Sequence, residues 1–160
     1  MSHLNSMWNL KPTPGDADGV QVEFSESLKK NVINLQQTGI LQEGDIIKVK
    51  LNGDGTNIGK RLTVVNFAYT ILNEKQIAMG EKGNYILATV KTTEFYDNLK
   101  ESLSDLIDEM SKLTEIMVNG VNYKIEYFLG GDWLLSVVWV EQTKTKLVYG
   151  AGALKQSGGV

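Results

Sequence analysis

Ile46-Ile-Lys-Val-Lys-Leu-Asn-Gly-Asp-Gly-Thr56 opens as a short β-branched run and ends among glycines. The first half predicts a strand over 46–51, and the Asn-Gly-Asp-Gly half predicts a turn that presents Asp54 where the strand stops. A second stretch has the same layout, with Val121-Asn-Tyr-Lys-Ile-Glu-Tyr-Phe-Leu129 leading into Gly130-Gly-Asp132. Glycine lets the backbone turn sharply and leaves space beside a carboxylate for a hydrated divalent cation and a phosphate. Asp54 and Asp132 are therefore the candidate metal ligands.

Between these two stretches the chain reads as strands and one long helix. Arg61-Leu-Thr-Val-Val-Asn-Phe-Ala-Tyr-Thr-Ile-Leu72 is rich in β-branched and aromatic residues and predicts a second strand, with 73–76 as its bend. Tyr85-Ile-Leu-Ala-Thr-Val90 predicts a third. Phe95, Leu99, Leu103, Leu106, Ile107, Met110 and Leu113 recur at helical spacing and predict one helix over 93–113. Glu115–Val118, the Asn119-Gly120 pair and the run from Val121 then predict a hairpin that leads into the last core strand. The order is β-β-β-α-β. A helical crossover before the last strand allows it to lie parallel beside the first, which brings both aspartates to one edge of the sheet.

Outside this core, Leu28, Val32 and Leu35 predict a short amphipathic helix with Ser25 as N-cap and Gly39 as its stop. Residues 1–24 hold both prolines and Gly15-Asp-Ala-Asp-Gly19, a turn-rich composition that predicts a flexible arm. Residues 141–160 predict a flexible tail. Trp133–Val140 is compatible with a helix or another strand.

Composition narrows the chemistry. The chain has 160 residues with 42% hydrophobic content, enough for a single domain with a real core. It has no cysteine, which excludes disulfides, thiolate zinc sites and cysteine nucleophiles, and its one histidine, His3, lies in the predicted arm. Catalysis would have to run on carboxylates, lysines, hydroxyls or a metal. No run approaches the roughly 18 to 20 apolar residues of a membrane span, and the N-terminus lacks the order of a signal peptide, so an intracellular protein without membrane contact is expected. The net charge of −3 works against tight binding to a polyanion.

The segments Lys50-Leu-Asn-Gly-Asp-Gly-Thr-Asn-Ile-Gly-Lys-Arg61, Val65-Asn-Phe-Ala-Tyr-Thr-Ile71 and Tyr127-Phe-Leu-Gly-Gly-Asp-Trp133 resemble the catalytic core of DDE transposases from animal mobile elements. The layout is similar to that of Transib elements and of the catalytic subunit of the V(D)J recombinase. The resemblance implies an α/β ribonuclease H-like fold, a mixed β-β-β-α-β sheet flanked by helices, over 25–140 with its core at 45–135. It also implies DNA as partner, nuclear residence, Mg²⁺ or Mn²⁺ as cofactor, Asp54 as first acid and Asp132 as second. Lys60 and Arg61 would contact the phosphate backbone, though a solvated strand start accounts for them equally well. Oligomerisation is left open.

The chain departs from that family where a third acid belongs: Glu141 is the only acidic residue after Asp132 and follows it closely. The paired cysteines of related chains are missing too, so the expectation is a truncated or inactive copy. The alternative is a non-catalytic α/β interaction module, in which both aspartates only make turns. Two other motifs fail on spacing. Gly53 to Gly59 is one residue too long for a P-loop and Arg61 stands where Ser or Thr is required, while a calcium loop from Asn52 would need glycine at Asn57 and glutamate at Thr63. Trp133 and Trp139 suit base stacking or, more commonly, core packing. Glu94, Asp97, Glu101, Asp105, Asp108 and Glu109 predict a solvated helix face.

Overall fold

The computed structural model describes residues 10–58, 62–75, 83–92, 95–130, 147–150 and 153–156. Its elements are β1 (Lys11–Pro12), β2 (Asp18–Gln21), α1 (Phe24–Gln37), β3 (Ile46–Ile58), β4 (Leu62–Ile71), β5 (Tyr85–Thr92), α2 (Phe95–Ser102), α3 (Ser104–Lys112), β6 (Glu115–Val118), β7 (Val121–Leu129), β8 (Leu147–Gly150) and β9 (Ala153–Gln156). Among the described residues these strands form one mixed sheet in the order β1-β2-β5-β4-β3-β7-β9-β8, with β6 also on β7. The protein is thus α/β. The β3, β4 and β5 strands run antiparallel, and β7 lies parallel to β3, as the sequence order led us to expect.

Strand alternation separates the two faces of the sheet. Ile47, Val49 and Leu51 of β3 are fully buried, together with Phe67, Tyr69 and Ile71 of β4 and Leu129 of β7. They join Phe24, Leu28, Val32 and Leu35 of α1, Leu99 of α2, and Leu106, Ile107 and Met110 of α3 in one core. The opposite face carries Ile46, Lys48 and Lys50 of β3 and Lys124, Glu126 and Phe128 of β7.

Several local expectations are corrected. The helix expected over 93–113 is two helices that meet at Leu103, although Leu99, Leu103, Leu106, Ile107 and Met110 of its apolar stripe are buried as the spacing requires. Helix α1 starts at Phe24 with Glu23 as N-cap, and Ser25 is already inside it. At the other end Gly39 does stop the helix: it takes φ +78°, with Ile40 N–H bonded to Leu35 C=O and Gly39 N–H to Gln36 C=O. That is the left-handed helix ending glycine favours. The Asn119-Gly120 hairpin forms as expected, both residues at positive φ.

Part of the predicted arm is sheet. β2 pairs with β5 from Asp18↔Lys91 to Gln21↔Ala88, and β1 pairs with β2. The prolines do not prevent this, because Pro12 ends the short β1 strand, which among the described residues is outermost and has no further partner to need its missing N–H. Within the predicted tail, β8 and β9 form a hairpin, and β9 joins β7 at Phe128↔Lys155 and Leu129↔Leu154.

Candidate functional site

The parallel pairing of β3 with β7 ends where the candidate acids begin. Every pair in this ladder joins residues 78 apart in sequence, from Ile46↔Lys124 to Leu51↔Leu129. One further bond continues it, from Gly130 N–H to Leu51 C=O at 3.0 Å. Gly130 is buried, and a Cβ there would collide with Lys50 Cε and lie 3.3 Å from Lys50 Nζ and 3.4 Å from Asn52 Oδ1. The absent side chain thus makes the space in which the Lys50 chain lies, turned toward the end of the strand pair.

Asp54 does not occupy a turn. β3 continues through Asn52-Gly-Asp-Gly55 to Ile58, and Asp54 pairs with Asn66 of β4. The reason is the partner strand: Val64, Val65 and Phe67 favour extended backbone, and glycines keep the N–H and C=O groups that a ladder needs. Pairing is therefore continuous from Val49↔Ile71 to Ile58↔Leu62. Asp54 has the same strand parity as Lys50 and Asn52. Asp132, Lys60, Arg61, Trp133, Trp139 and Glu141 lie outside the described residues.

Lys50 and Asn52 were not singled out in the sequence. The signal was present as Lys50-x-Asn52-x-Asp54, one face of a strand, but the expected turn at Asp54 hid it. Each of three other lysines on this face is registered against an acid: Lys48 with Glu126, Lys124 with Glu115, and Lys91 with Asp18. The register neighbours of Lys50 are Thr70 and Phe128.

The remaining polar clusters serve the fold. Glu109 does not belong to a purely solvated face: its carboxylate accepts Phe24 N–H at 2.9 Å and Ser25 N–H at 3.3 Å. Beside it a cleft of about 150 Å³ is lined by Lys11, Gln21, Glu23, Asp105 and Leu106. The Tyr69 hydroxyl, in the core, bonds Ser27 and Asn31, each at 2.7 Å, and burial pushes its pKa up to about 12. Burial also raises Tyr127, whose hydroxyl donates to Leu113 C=O at 2.7 Å. Such tyrosines hold their protons at neutral pH and act as packing with one satisfied polar end.

Among the described residues no group of three or more His, Asp or Glu is arranged to hold a metal ion, and no helix is long and apolar enough to cross a membrane. In comparisons with known proteins, no family model matches the chain and no curated protein matches it.

Proposed function

We propose that this chain carries a ribonuclease H-like core of the DDE transposase type. Asp54 and Asp132 would hold Mg²⁺ or Mn²⁺ for phosphodiester cleavage and strand transfer on DNA. The observation that carries the reading is the register: the β3–β7 ladder joins residues 78 apart, and Asp132 is also 78 residues beyond Asp54. If the same register continued beyond Gly130, it would set the two carboxylates side by side, as a shared cation requires. The strand order β5-β4-β3-β7, with two helices before the last hairpin, gives the same support.

Carboxylate oxygens, and the amide oxygen of Asn52 two residues before Asp54, are the hard donors that suit these ions. A bound ion of this class activates water or a 3′-hydroxyl and stabilises the leaving oxygen. The chain's part would be to hold the donors in place, so that little reorganisation is needed when charge develops. Only two acids of the expected three are assigned, so metal binding is the property to measure before turnover.

The test is a Mn²⁺ titration followed by paramagnetic NMR broadening. Broadening centred jointly on Asp54 and Asp132, lost in Asp54→Asn and in Asp132→Asn, supports the reading. Broadening that both variants leave unchanged overturns it and favours the interaction module. That second reading has its own observation, since Val20, Ile46, Ile86 and Met117, all at least 38% exposed, lie on the sheet face away from the helices.

A further inference from the structure

We propose that the cleft between β2 and α3 binds a small organic cation of the guanidinium type, held by the Asp105 and Glu23 carboxylates and by the side-chain oxygen of Gln21. The site is separate from the metal-site reading above and does not rest on it.

Gln21 carries the argument. It is 1% exposed, yet its Oε1 has no hydrogen-bond partner. A buried amide oxygen without a donor costs free energy, and native interiors contain few of them. The amide stands at the wall of the cleft: Gln21 lines it, and Gln21 Nε2 donates to Oδ2 of Asp105, another lining residue, at 3.4 Å. Oε1 is bonded to the same carbon as that nitrogen, so the unmet acceptor stands at the same wall. Thr13 Oγ1, against Gly19 of β2, is buried and unpartnered as well, so neither group satisfies the other.

The charges around the cleft fix the kind of donor that fits. Glu23, Asp105 and Glu109 set three carboxylates against the one ammonium of Lys11, which among the described residues forms no ion pair with them. Glu109 serves the fold, with both oxygens on α1 N–H groups. Asp105 has the long Gln21 contact alone, and Glu23 accepts from Ser25 Oγ at 2.8 Å. A cationic donor is therefore favoured over a neutral one. Among the described residues no three acids are grouped to share a metal ion, whereas a planar guanidinium presents five N–H donors in a fork and reaches several oxygens at once. The volume of about 150 Å³ has room for such a head group and not for a nucleotide.

As the cleft stands, Oε1 is closed to water. A turn about the terminal amide torsion, whose wells are broad, brings it to the cleft. The turn gives up only the 3.2 Å bond to Pro12 C=O and the 3.4 Å bond to Asp105. The cation then takes the place of the amide nitrogen beside Asp105.

The experiment is an NMR titration of the isotope-labelled protein with methylguanidinium and, separately, with tetramethylammonium, which has the charge and no N–H. Methylguanidinium alone should shift the Gln21 side-chain amide and the backbone amides of 21–23 and 105–109. Gln21→Met and Asp105→Asn should each weaken binding at least about tenfold, as loss of a charge-assisted hydrogen bond does. Asp108→Asn, on the same helix and paired with Lys112, should leave it unchanged. Lys11→Met should tighten it, and less so in added salt. A short peptide with one arginine and blocked ends separates two sources of the ligand. If it shifts the same amides, an arginine side chain of a partner can enter; if methylguanidinium alone does, the ligand is a free small molecule, and both results support the class. Equal shifts with tetramethylammonium overturn the proposal and leave an acidic patch, while no shift with either cation leaves a cleft that holds water. If Gln21→Met does not fold, Asp105→Asn decides, and unchanged affinity there overturns the site.

Discussion

Glu109, on α3, caps the helix that begins at Phe24. One carboxylate spans two backbone N–H groups of α1, at 2.9 Å from Phe24 and 3.3 Å from Ser25, across 85 and 84 residues of sequence. The N-cap position itself, Glu23, makes no side-chain cap bond. A negative group at this end also meets the positive pole of the helix. The contact therefore joins α1 to α3 as well as completing a helix terminus. Glu109→Ala should cost about 1–2 kcal/mol in urea denaturation, and Glu109→Gln less, since an amide keeps one acceptor without the charge. Equal stability in all three proteins would remove the cap from the account of how the helices dock.

Gln36 makes a comparable tie at the other end of α1. Its amide donates to Val118 C=O at 3.0 Å and to the Tyr123 hydroxyl at 2.9 Å, while its oxygen accepts from Asn119 at 3.1 Å. The β6–β7 hairpin is thereby fastened to the helix. Gln36→Leu should destabilise by about 1–3 kcal/mol, because partly buried partners lose their bonds without regaining water. Hydrogen exchange of the 115–123 amides should rise more in this variant than exchange in β4.

Alkaline pH should unfold the protein in a particular direction. The Tyr69 pKa is raised from 10.0 to about 12, chiefly by burial. Tyr85 is shifted the same way by burial and by its bond to Glu74, and Tyr127 by burial and the Glu109 charge. A raised folded-state pKa means that below pH 10 both states keep the proton, while between pH 10 and about 12 the unfolded chain ionises first and stability falls as pH rises. For Tyr69 the loss is on the order of 2–3 kcal/mol across that window. Urea midpoints at rising pH should fall, and Tyr69→Phe, although less stable at neutral pH, should show a shallower fall.

Two glycines should respond differently to a methyl group. At Gly19 a Cβ would meet the Thr13 hydroxyl and lie 3.0 Å from the Thr89 carbonyl oxygen, which belongs to the sheet backbone and cannot move aside. Gly19→Ala should cost about 1–3 kcal/mol. At Gly130 the obstacle is the far end of the flexible Lys50 chain. Gly130→Ala should cost below about 1 kcal/mol, and a large loss there would mean that Lys50 is held more firmly than its position implies.

The sequence by itself determined the type and order of the core elements from α1 to β7, apart from the break at Leu103, because periodicity is a local property. The alternation around Val49, the helical spacing of Leu99 to Met110, the Asn119-Gly120 turn and the glycine stop at Gly39 all formed as local chemistry directs. Its connection rules also allowed β7 to lie parallel beside β3, as it does. What only the tertiary structure decided was everything that depends on a partner distant in sequence. Asn-Gly-Asp-Gly has the composition of a turn, and it became strand because β4 supplied a continuous ladder from Leu62 to Ile71. Pro12 and Asp18–Gln21 have the composition of an arm, and they became sheet because β5 offered an edge. Glu109 has the pattern of a solvated helix face, and it became a cap because α1 starts beside it. Lys50 drew no notice among the chain's lysines until the register set acids against Lys48, Lys91 and Lys124 and left Lys50 beside Gly130. Local propensities amount to a few tenths of a kcal/mol per residue, and a continuous ladder or a satisfied charge outweighs them.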